Sequence, residues 1–103
     1  MKGLSGRNNL AKDTGMLFTF SEKGIYSFWM RDMKFPIDIL FISDDKIVDF
    51  VVNAPKPAKD QLPSSLPVYK SSEPANIVLE INANEIEKNK FKKGDKVTLT
   101  RIK

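Results

Sequence analysis

The chain has 103 residues, of which 41% are hydrophobic and 29% charged, a composition typical of one small globular domain over residues 1–103. It contains no cysteine and no histidine, which excludes disulfides, thiol nucleophiles, Ser-His-Asp triads and conventional zinc sites. No apolar run approaches the ~20 residues that span a bilayer, and Met1-Lys2 is not followed by a hydrophobic signal segment.

The predicted elements, in chain order, are mostly short strands. Apolar stretches separated by Gly, Pro, Asp and Asn predict strands over 15–20, 25–30, 37–42, 47–52, 76–81 and 96–102. Residues 25–30 are apolar on both sides of the chain, which predicts a strand covered on both faces. Residues 37–42 and 47–52 flank a tight turn and predict a hairpin.

Two segments interrupt this pattern. Residues 53–74 contain five of the six prolines and are predicted to be an irregular or edge segment. Asn84 is a plausible N-cap for a short helix that ends near Lys88, with Glu85 and Glu87 in its first turn. Together the elements predict a mainly β single domain, either barrel-like or a strongly curved antiparallel or mixed sheet, with one or two short helices.

The net charge of +4 lies in the second half of the chain. Residues 1–52 hold seven basic and seven acidic side chains, whereas residues 53–103 hold ten and six. The densest basic segment, 88–96, contains five lysines, which allows either an anion-binding patch for nucleic acid or a solvated turn. Nucleic-acid readers usually add arginine and exposed aromatic residues, so we favour the solvated turn, with Phe91 anchoring it into the core.

Asp38 is the most suggestive single residue. In a strand over 37–42 it shares a face with Leu40 and Ile42, so one carboxylate sits in an otherwise apolar row. Burial could raise its pKa and prepare it for general acid–base chemistry. Alternatively it accepts hydrogen bonds from backbone amides, or pairs with Arg7 or Arg31, and so fixes the fold. We favour this structural role.

Glu80 shares a strand face with Asn76, Val78 and Asn82, and this polar row could face solvent. If Glu80 converged with Asp38, the two carboxylates could support hydrolysis or hold Mg²⁺. The sequence alone does not bring them together, so no metal and no cofactor is predicted.

A binding face is the other interpretation of the first half of the chain. Arg7 and Arg31, with Lys34, could form a cationic rim around a small anionic ligand, and Trp29 could contribute an adaptable wall. Most large apolar residues, however, are expected to form the core, as listed here: Phe18, Phe20, Phe28, Trp29, Met30 and Phe41.

Three blocks together resemble a known family, the domain of unknown function 192 of bacteria and archaea. They are Gly3-Leu4…Arg7 with Gly15-Met16-Leu17-Phe18; Phe28-Trp29-Met30-Arg31…Pro36-Ile37-Asp38-Ile39; and Val78-Leu79-Glu80-Ile81 with Lys93-Gly94-Asp95-Lys96-Val97. The resemblance implies a compact, mainly β domain with one or two short helices, and no assigned activity. Asn84 stands where this family frequently has glycine.

Members of that family usually carry a strand, and often a signal peptide, before the Gly-Leu block, which here begins at residue 3. A sheet without that strand would have an unpaired edge, and unpaired edges favour pairing with another chain. We therefore expect some self-association.

The leading functional hypothesis is a small non-catalytic binding or accessory module, with a face around Arg7, Trp29, Arg31 and Asp38 and with a small anionic ligand or a protein as partner. The first alternative is a hydrolase or lyase that uses Asp38 and Glu80, with or without a divalent metal. The second is a nucleic-acid-binding barrel that uses the lysines of 88–96. The compartment is left open.

Overall fold

The computed structural model describes residues 15–30, 33–58, 61–62 and 66–97. These residues form six strands and one helix: β1 (Gly15–Gly24), β2 (Ser27–Trp29), β3 (Ile37–Ser43), β4 (Lys46–Ala54), β5 (Val68–Lys70), β6 (Ala75–Asn82) and α1 (Glu85–Asn89). The strands build a four-stranded sheet in the order β1-β6-β3-β4 and a two-stranded ribbon of β2 and β5. Every pairing is antiparallel.

The predicted mainly β fold is confirmed, with a refinement of its shape. The described strands form open, curved antiparallel sheets that do not close into a barrel, and none of their pairings is parallel as a mixed sheet would require. The predicted hairpin of β3 and β4 is present, and Asp44 in its turn has a φ of 57°. Asp and Asn tolerate this left-handed conformation better than other non-glycine residues.

The central strand β3 is buried from Ile37 to Ile42 because both faces of the sheet are covered. Residues directly opposite each other in an antiparallel pair lie on the same face. Ile39 and Phe41 stand opposite Glu80 and Val78 of β6, and we call their side of the sheet the Phe41 face. Asp38, Leu40 and Ile42 stand opposite Ile81, Leu79 and Ile77, and we call this side the Asp38 face.

The β2–β5 ribbon covers the Phe41 face. Phe28 and Tyr69 stand opposite each other in the ribbon and pack against the buried cluster that contains Phe41. The rings of Phe28 and Phe41 lie 6.2 Å apart between centroids, and those of Phe18 and Phe28 lie 5.9 Å apart. Tilted pairs at such distances stabilise a core beyond their buried area.

The expected strand over 25–30 is wrong in two respects. Only Ser27–Trp29 is extended, and it pairs with β5 from the proline-rich segment. It is also covered on one side only, because Trp29 stands opposite Val68 and both are about half exposed, 46% and 58%. The prediction that the large apolar residues form the core is confirmed for Met30 and Phe41, which are buried, and for the half-buried Phe18, Phe20 and Phe28 that pack against them. It is wrong for Trp29, which is about half exposed.

The Asp38 face carries α1 and the segment that follows it. Ile86 of α1 is buried in a second cluster with Leu40, Ile42 and Ile47, and Val97 packs against it. Of the strand predicted over 96–102, Lys96 forms a single antiparallel bridge with Lys46 and Val97 lies in no strand, while residues 98–102 lie outside the described residues. In the described ranges no helix has the length and hydropathy to cross a membrane.

Candidate binding groove on the Asp38 face

Asp38 is completely buried, and both of its carboxylate oxygens accept backbone hydrogen bonds. The N–H of Asn53 donates to Oδ1 at 2.8 Å, and the N–H of Ile86 donates to Oδ2 at 2.9 Å. A buried carboxylate is tolerated when charge-assisted hydrogen bonds satisfy its oxygens. The structure thus supports the interpretation of Asp38 as a residue that fixes the fold through backbone amides.

The first of these bonds, from Asn53 to Asp38, lies at an irregularity in the pairing of β3 and β4. Ile37 stands opposite Ala54 and Ile39 opposite Val51, so two residues of β4, 52 and 53, face the single residue Asp38. Such a bulge leaves an extra residue of the bulged strand unpaired in the ladder. Asn53 adopts a φ of 53°, and its N–H is satisfied by the Asp38 side chain.

The second bond caps the helix from a distance. Asn84 occupies the N-cap position that the sequence predicts, but its side chain makes no capping hydrogen bond. Its Oδ1 accepts instead from Nδ2 of Asn53 at 2.9 Å. Because the first N–H groups of a helix have no partner within the helix, the Asp38 carboxylate supplies one, 48 residues earlier in the chain.

By holding α1, Asp38 shapes an open groove with a volume of about 840 Å³. Its floor is aliphatic and comes from β3, β4 and β6, with Leu40, Ile47, Leu79 and Ile81. Phe91, which the sequence predicts to be a core anchor, lines this groove and is 36% exposed. The groove therefore combines a firm apolar base with one aromatic ring that a ligand could contact.

The rim of the groove is polar and carries more acid than base. Asn89 of α1 donates to the carbonyl oxygen of Glu85 at 2.8 Å and to its carboxylate at 3.0 Å. The backbone N–H of Lys92 donates to Asp95 at 3.0 Å, and this bond is the main reason that the pKa of Asp95 lies below its ordinary value. Lys96 also lines the groove, and its Nζ lies 3.8 Å from Asp45.

Glu80 lies on the other face of the sheet. It stands opposite Met16 and Ile39 and is only 7% exposed, so the possibility that it points to solvent is wrong. Because Asp38 and Glu80 lie on opposite faces, the structure does not bring together the carboxylate pair of the hydrolase hypothesis. Among the described residues there is also no group of three or more acidic side chains placed to hold a metal ion.

The binding face expected around Asp38 is likewise not assembled in the described residues. Trp29 belongs to the ribbon on the Phe41 face, whereas Asp38 is buried on the opposite side of the sheet. Arg7 and Arg31 lie outside the described residues, and Lys34 is exposed.

The lysines of 88–96 lie on the surface beside α1 and are partly neutralised. Three of them approach carboxylates: Lys92 lies 3.2 Å from Asp95, Lys93 lies 3.6 Å from Asp49, and Lys96 contacts Asp45. Exposed pairs of this kind contribute little stability, but they lower the positive charge available to a polyanion.

Sequence reasoning missed the groove because its walls come from segments far apart in the chain. One signal was available: β3 is apolar at both alternating sets of positions, so both of its faces had to be covered. The short α1 and the turn after it are too small to cover a whole face, which leaves space beside them.

Two solved structures resemble this chain. The first is a protein of unknown function from Novosphingobium aromaticivorans, with a TM-score of 0.79 and 30% identity over 95% of this chain and 66% of that one. The second, from Sinorhizobium meliloti, is described as a candidate transcription regulator and has a TM-score of 0.77 and 34% identity over 92% of this chain and 69% of that one. The chain thus spans about two thirds of the length of these structures.

No curated protein is similar enough to this chain to count as a match. The family described as an uncharacterized ACR, the domain of unknown function 192, matches residues 1–99. This match covers nearly the whole chain and agrees with the motif blocks and with the fold, and the chain therefore belongs to the domain of unknown function 192 family.

Proposed function

We propose that this chain is a non-catalytic binding module, and that the groove on the Asp38 face receives a small amphipathic molecule. The proposal rests on one observation: the groove has an aliphatic floor beside a polar rim, in a volume of about 840 Å³. Small-molecule sites are typically concave, about 300–1,000 Å³ in volume, and apolar with a few orienting polar groups.

The rim favours a neutral or basic head group on that molecule. Glu85 and Asp95 provide two carboxylates, against one ammonium group from Lys96. Asp95 is paired with Lys92 and Lys96 lies near Asp45, so Glu85 provides the excess negative charge of the rim. A small anionic ligand, which the arginines of the sequence would favour, is disfavoured at this rim by charge. The apolar body of the ligand would lie over Leu40 and Leu79.

A binding role is preferred over catalysis because of how the carboxylates are used. Both oxygens of Asp38 accept backbone hydrogen bonds, and Glu80 lies across the sheet. General acid–base catalysis needs a group within hydrogen-bond reach of the substrate, and a fully buried carboxylate at the base of a helix is not so placed. Asp38 acts here as a positioning residue for the groove wall.

The test is a fluorescence titration of the full chain with Nile red, a neutral apolar dye. We expect saturable binding, reduced about fivefold or more by Leu79→Ser. Leu79 is partly buried in the free chain, and a leucine side chain that becomes covered by the dye contributes about 1 kcal/mol or more of transfer free energy. Val68→Ser is the matched control, since it removes an exposed strand residue outside the groove. Amide shift mapping with the unmodified chain gives a second readout if Leu79→Ser is poorly folded. The absence of saturable binding, or shifts confined to the ribbon, would reject the proposal.

The description of the Sinorhizobium meliloti protein and the exposed lysines of 88–96 favour one second candidate, nucleic-acid binding. Lys88 and Lys90 are exposed and form no ion pair with another described residue. Anisotropy of a labelled duplex would then rise on titration, fall steeply with salt, and be weakened by Lys88→Glu with Lys90→Glu. Lys34→Glu is the control. Binding that is absent, or insensitive to salt, removes this candidate.

A further inference from the structure

Among the described residues, the first part of β1 is an open sheet edge. β1 pairs with β6 on one side, and no other described strand pairs with it. Residues 15–20 read Gly-Met-Leu-Phe-Thr-Phe and carry no charge, and Leu17 is 44% exposed. An unpaired, apolar edge strand is a ready template for an added strand.

The opposite edge of the sheet, β4, is protected. The N–H of Ile47 donates to the carbonyl of Asp95 at 2.9 Å, and the carbonyl of Ile47 accepts from Gly94 at 2.8 Å. Farther along β4, the N–H of Ser72 donates to Asp49 at 2.8 Å. Two bulges also interrupt the β3–β4 ladder. Chain segments and bulges of this kind prevent another strand from pairing with a sheet edge.

The second part of β1 is protected by other means. Its register with β6 shifts between Thr19 and Gly24, and Lys23 forms an ion pair with Asp44 at 2.8 Å. Charged side chains and irregular register discourage strand addition. The unprotected edge among the described residues is therefore the uncharged segment 15–20.

We propose that a second copy of this chain pairs with residues 15–20, with the two β1 strands antiparallel across a two-fold axis and Phe18 opposite Phe18. In this register Met16 faces Phe20 of the other copy, and Leu17 faces Thr19. Even-numbered residues lie on the Phe41 face and odd-numbered ones on the Asp38 face. The register keeps each face continuous from one copy to the next, as an isologous interface requires.

Charge also favours a second copy as the occupant. The segment that pairs holds neither acid nor base, so two identical chains meet there without like-charge repulsion, although each carries a net charge of +4. A six-residue strand pair buries less than the ~1,200 Å² of a standard interface. The dimer is accordingly weak and depends on concentration.

The first experiment measures mass against concentration for the full chain by sedimentation equilibrium. The average mass rises from 11.7 kDa toward twice that value as concentration increases. Leu17→Lys abolishes the rise, because each copy then places an ammonium group in the shared edge. Val68→Lys, the same kind of change at an exposed strand residue of the ribbon, leaves the rise intact. A wild-type chain that stays monomeric, or a Leu17→Lys variant that still dimerises, overturns the proposal.

A cross-linking experiment tests the register itself and uses the absence of native cysteine. Chains with Leu17→Cys and chains with Thr19→Cys are mixed and oxidised. The mixed disulfide forms several-fold faster than either homodisulfide, because only positions 17 and 19 face each other across the axis. A mixture of Leu17→Cys with Val68→Cys gives no such preference. Equal rates for all pairs, with dimerisation intact, contradict the Phe18–Phe18 register.

Discussion

The two faces of the four-stranded sheet are covered in different ways, one by apolar packing and the other by a helix that hydrogen bonds hold in place. On the Phe41 face a ribbon closes over the strands with aromatic and methionine side chains, and Met30, Ile39 and Phe41 are buried there. On the Asp38 face one carboxylate fixes a five-residue helix by hydrogen bonds, and space remains beside it. Apolar packing must fill volume to stabilise, whereas a hydrogen bond can hold an element in place and leave a groove open.

The largest effect should come from the filled face. Phe41→Ala removes a fully buried ring and is expected to lower the free energy of unfolding by about 3–5 kcal/mol. Nile red affinity per folded molecule should stay unchanged, because Phe41 does not line the groove. Urea unfolding and dye titration measure the two quantities. Phe91→Ala is the counterpart, with a small stability loss and weaker dye binding, and a reversed outcome would mean that the faces do not divide their roles.

The carboxylate that holds the open face should give the next largest effect. Asp38→Ala leaves two N–H groups without an acceptor, the buried one of Ile86 and the part-buried one of Asn53, and we expect a loss of about 3 kcal/mol. Asp38→Asn keeps one acceptor oxygen and should lose about half as much. Both variants should weaken Nile red binding, since α1 forms a wall of the groove. An Asp38→Leu chain as stable as wild type, with unaltered dye binding, would contradict the role of Asp38.

The two faces also differ in how much of their structure the sequence could predict. Alternation and turn residues were enough to identify β1, β3, β4 and β6 as strands, because each is long. The end of β1 was wrong, since the strand predicted over 15–20 continues to Gly24. β2 and β5 have three residues each, and β5 lies in the proline-rich segment, so local pattern could not pair them. Their pairing is set by tertiary contacts of Phe28 and Tyr69 with the core.

The site was predictable in part. The apolar row around Asp38 indicated burial, and backbone amides were one of its expected partners. Which amides it binds depends on Asn53 and Ile86, and the second lies 48 residues away. Glu80 shows the converse difficulty, since alternation identifies its face but does not reveal that this face is covered. The groove depends on how α1 is placed, which no local pattern encodes.

A third prediction concerns Asp49, which ties β4 to the segment before β6. Burial, the largest single influence, raises its pKa, but the N–H groups of Ser72 and Phe50 with the Lys93 charge outweigh it, and the pKa falls below its ordinary value of 3.8. A depressed pKa stabilises the fold above pH 3.8 and ceases to do so as pH falls through the lowered value. Asp49→Asn should therefore cost about 1–2 kcal/mol at neutral pH.

Unfolding curves of the wild type and Asp49→Asn, recorded from pH 7 down to about pH 2, measure this difference in the free energy of unfolding. The series extends to acid pH because the pKa of the Asp49 carboxyl is lowered. The difference in the free energy of unfolding between the two chains should shrink as the pH falls and Asp49 of the wild type becomes protonated. Asp45→Asn is the control, because this residue is more exposed and pairs with Lys96 only at 3.8 Å. A gap that stays constant with pH would show that Asp49 acts through hydrogen bonds without its charge.

The smallest expected effect tests the backbone at the start of α1. Asn84 has a φ of 75°, a conformation that costs an alanine about 1–2 kcal/mol and costs glycine almost nothing. Asn84→Ala should therefore lose about 1 kcal/mol more stability than Asn84→Gly, since both variants lose the hydrogen bond from Asn53 and differ only in the strain. Urea unfolding of the two variants isolates that strain. If Asn84→Ala and Asn84→Gly were equally stable, the left-handed conformation at residue 84 would not constrain the start of α1. The position of α1 at the groove would then depend on Asp38 alone.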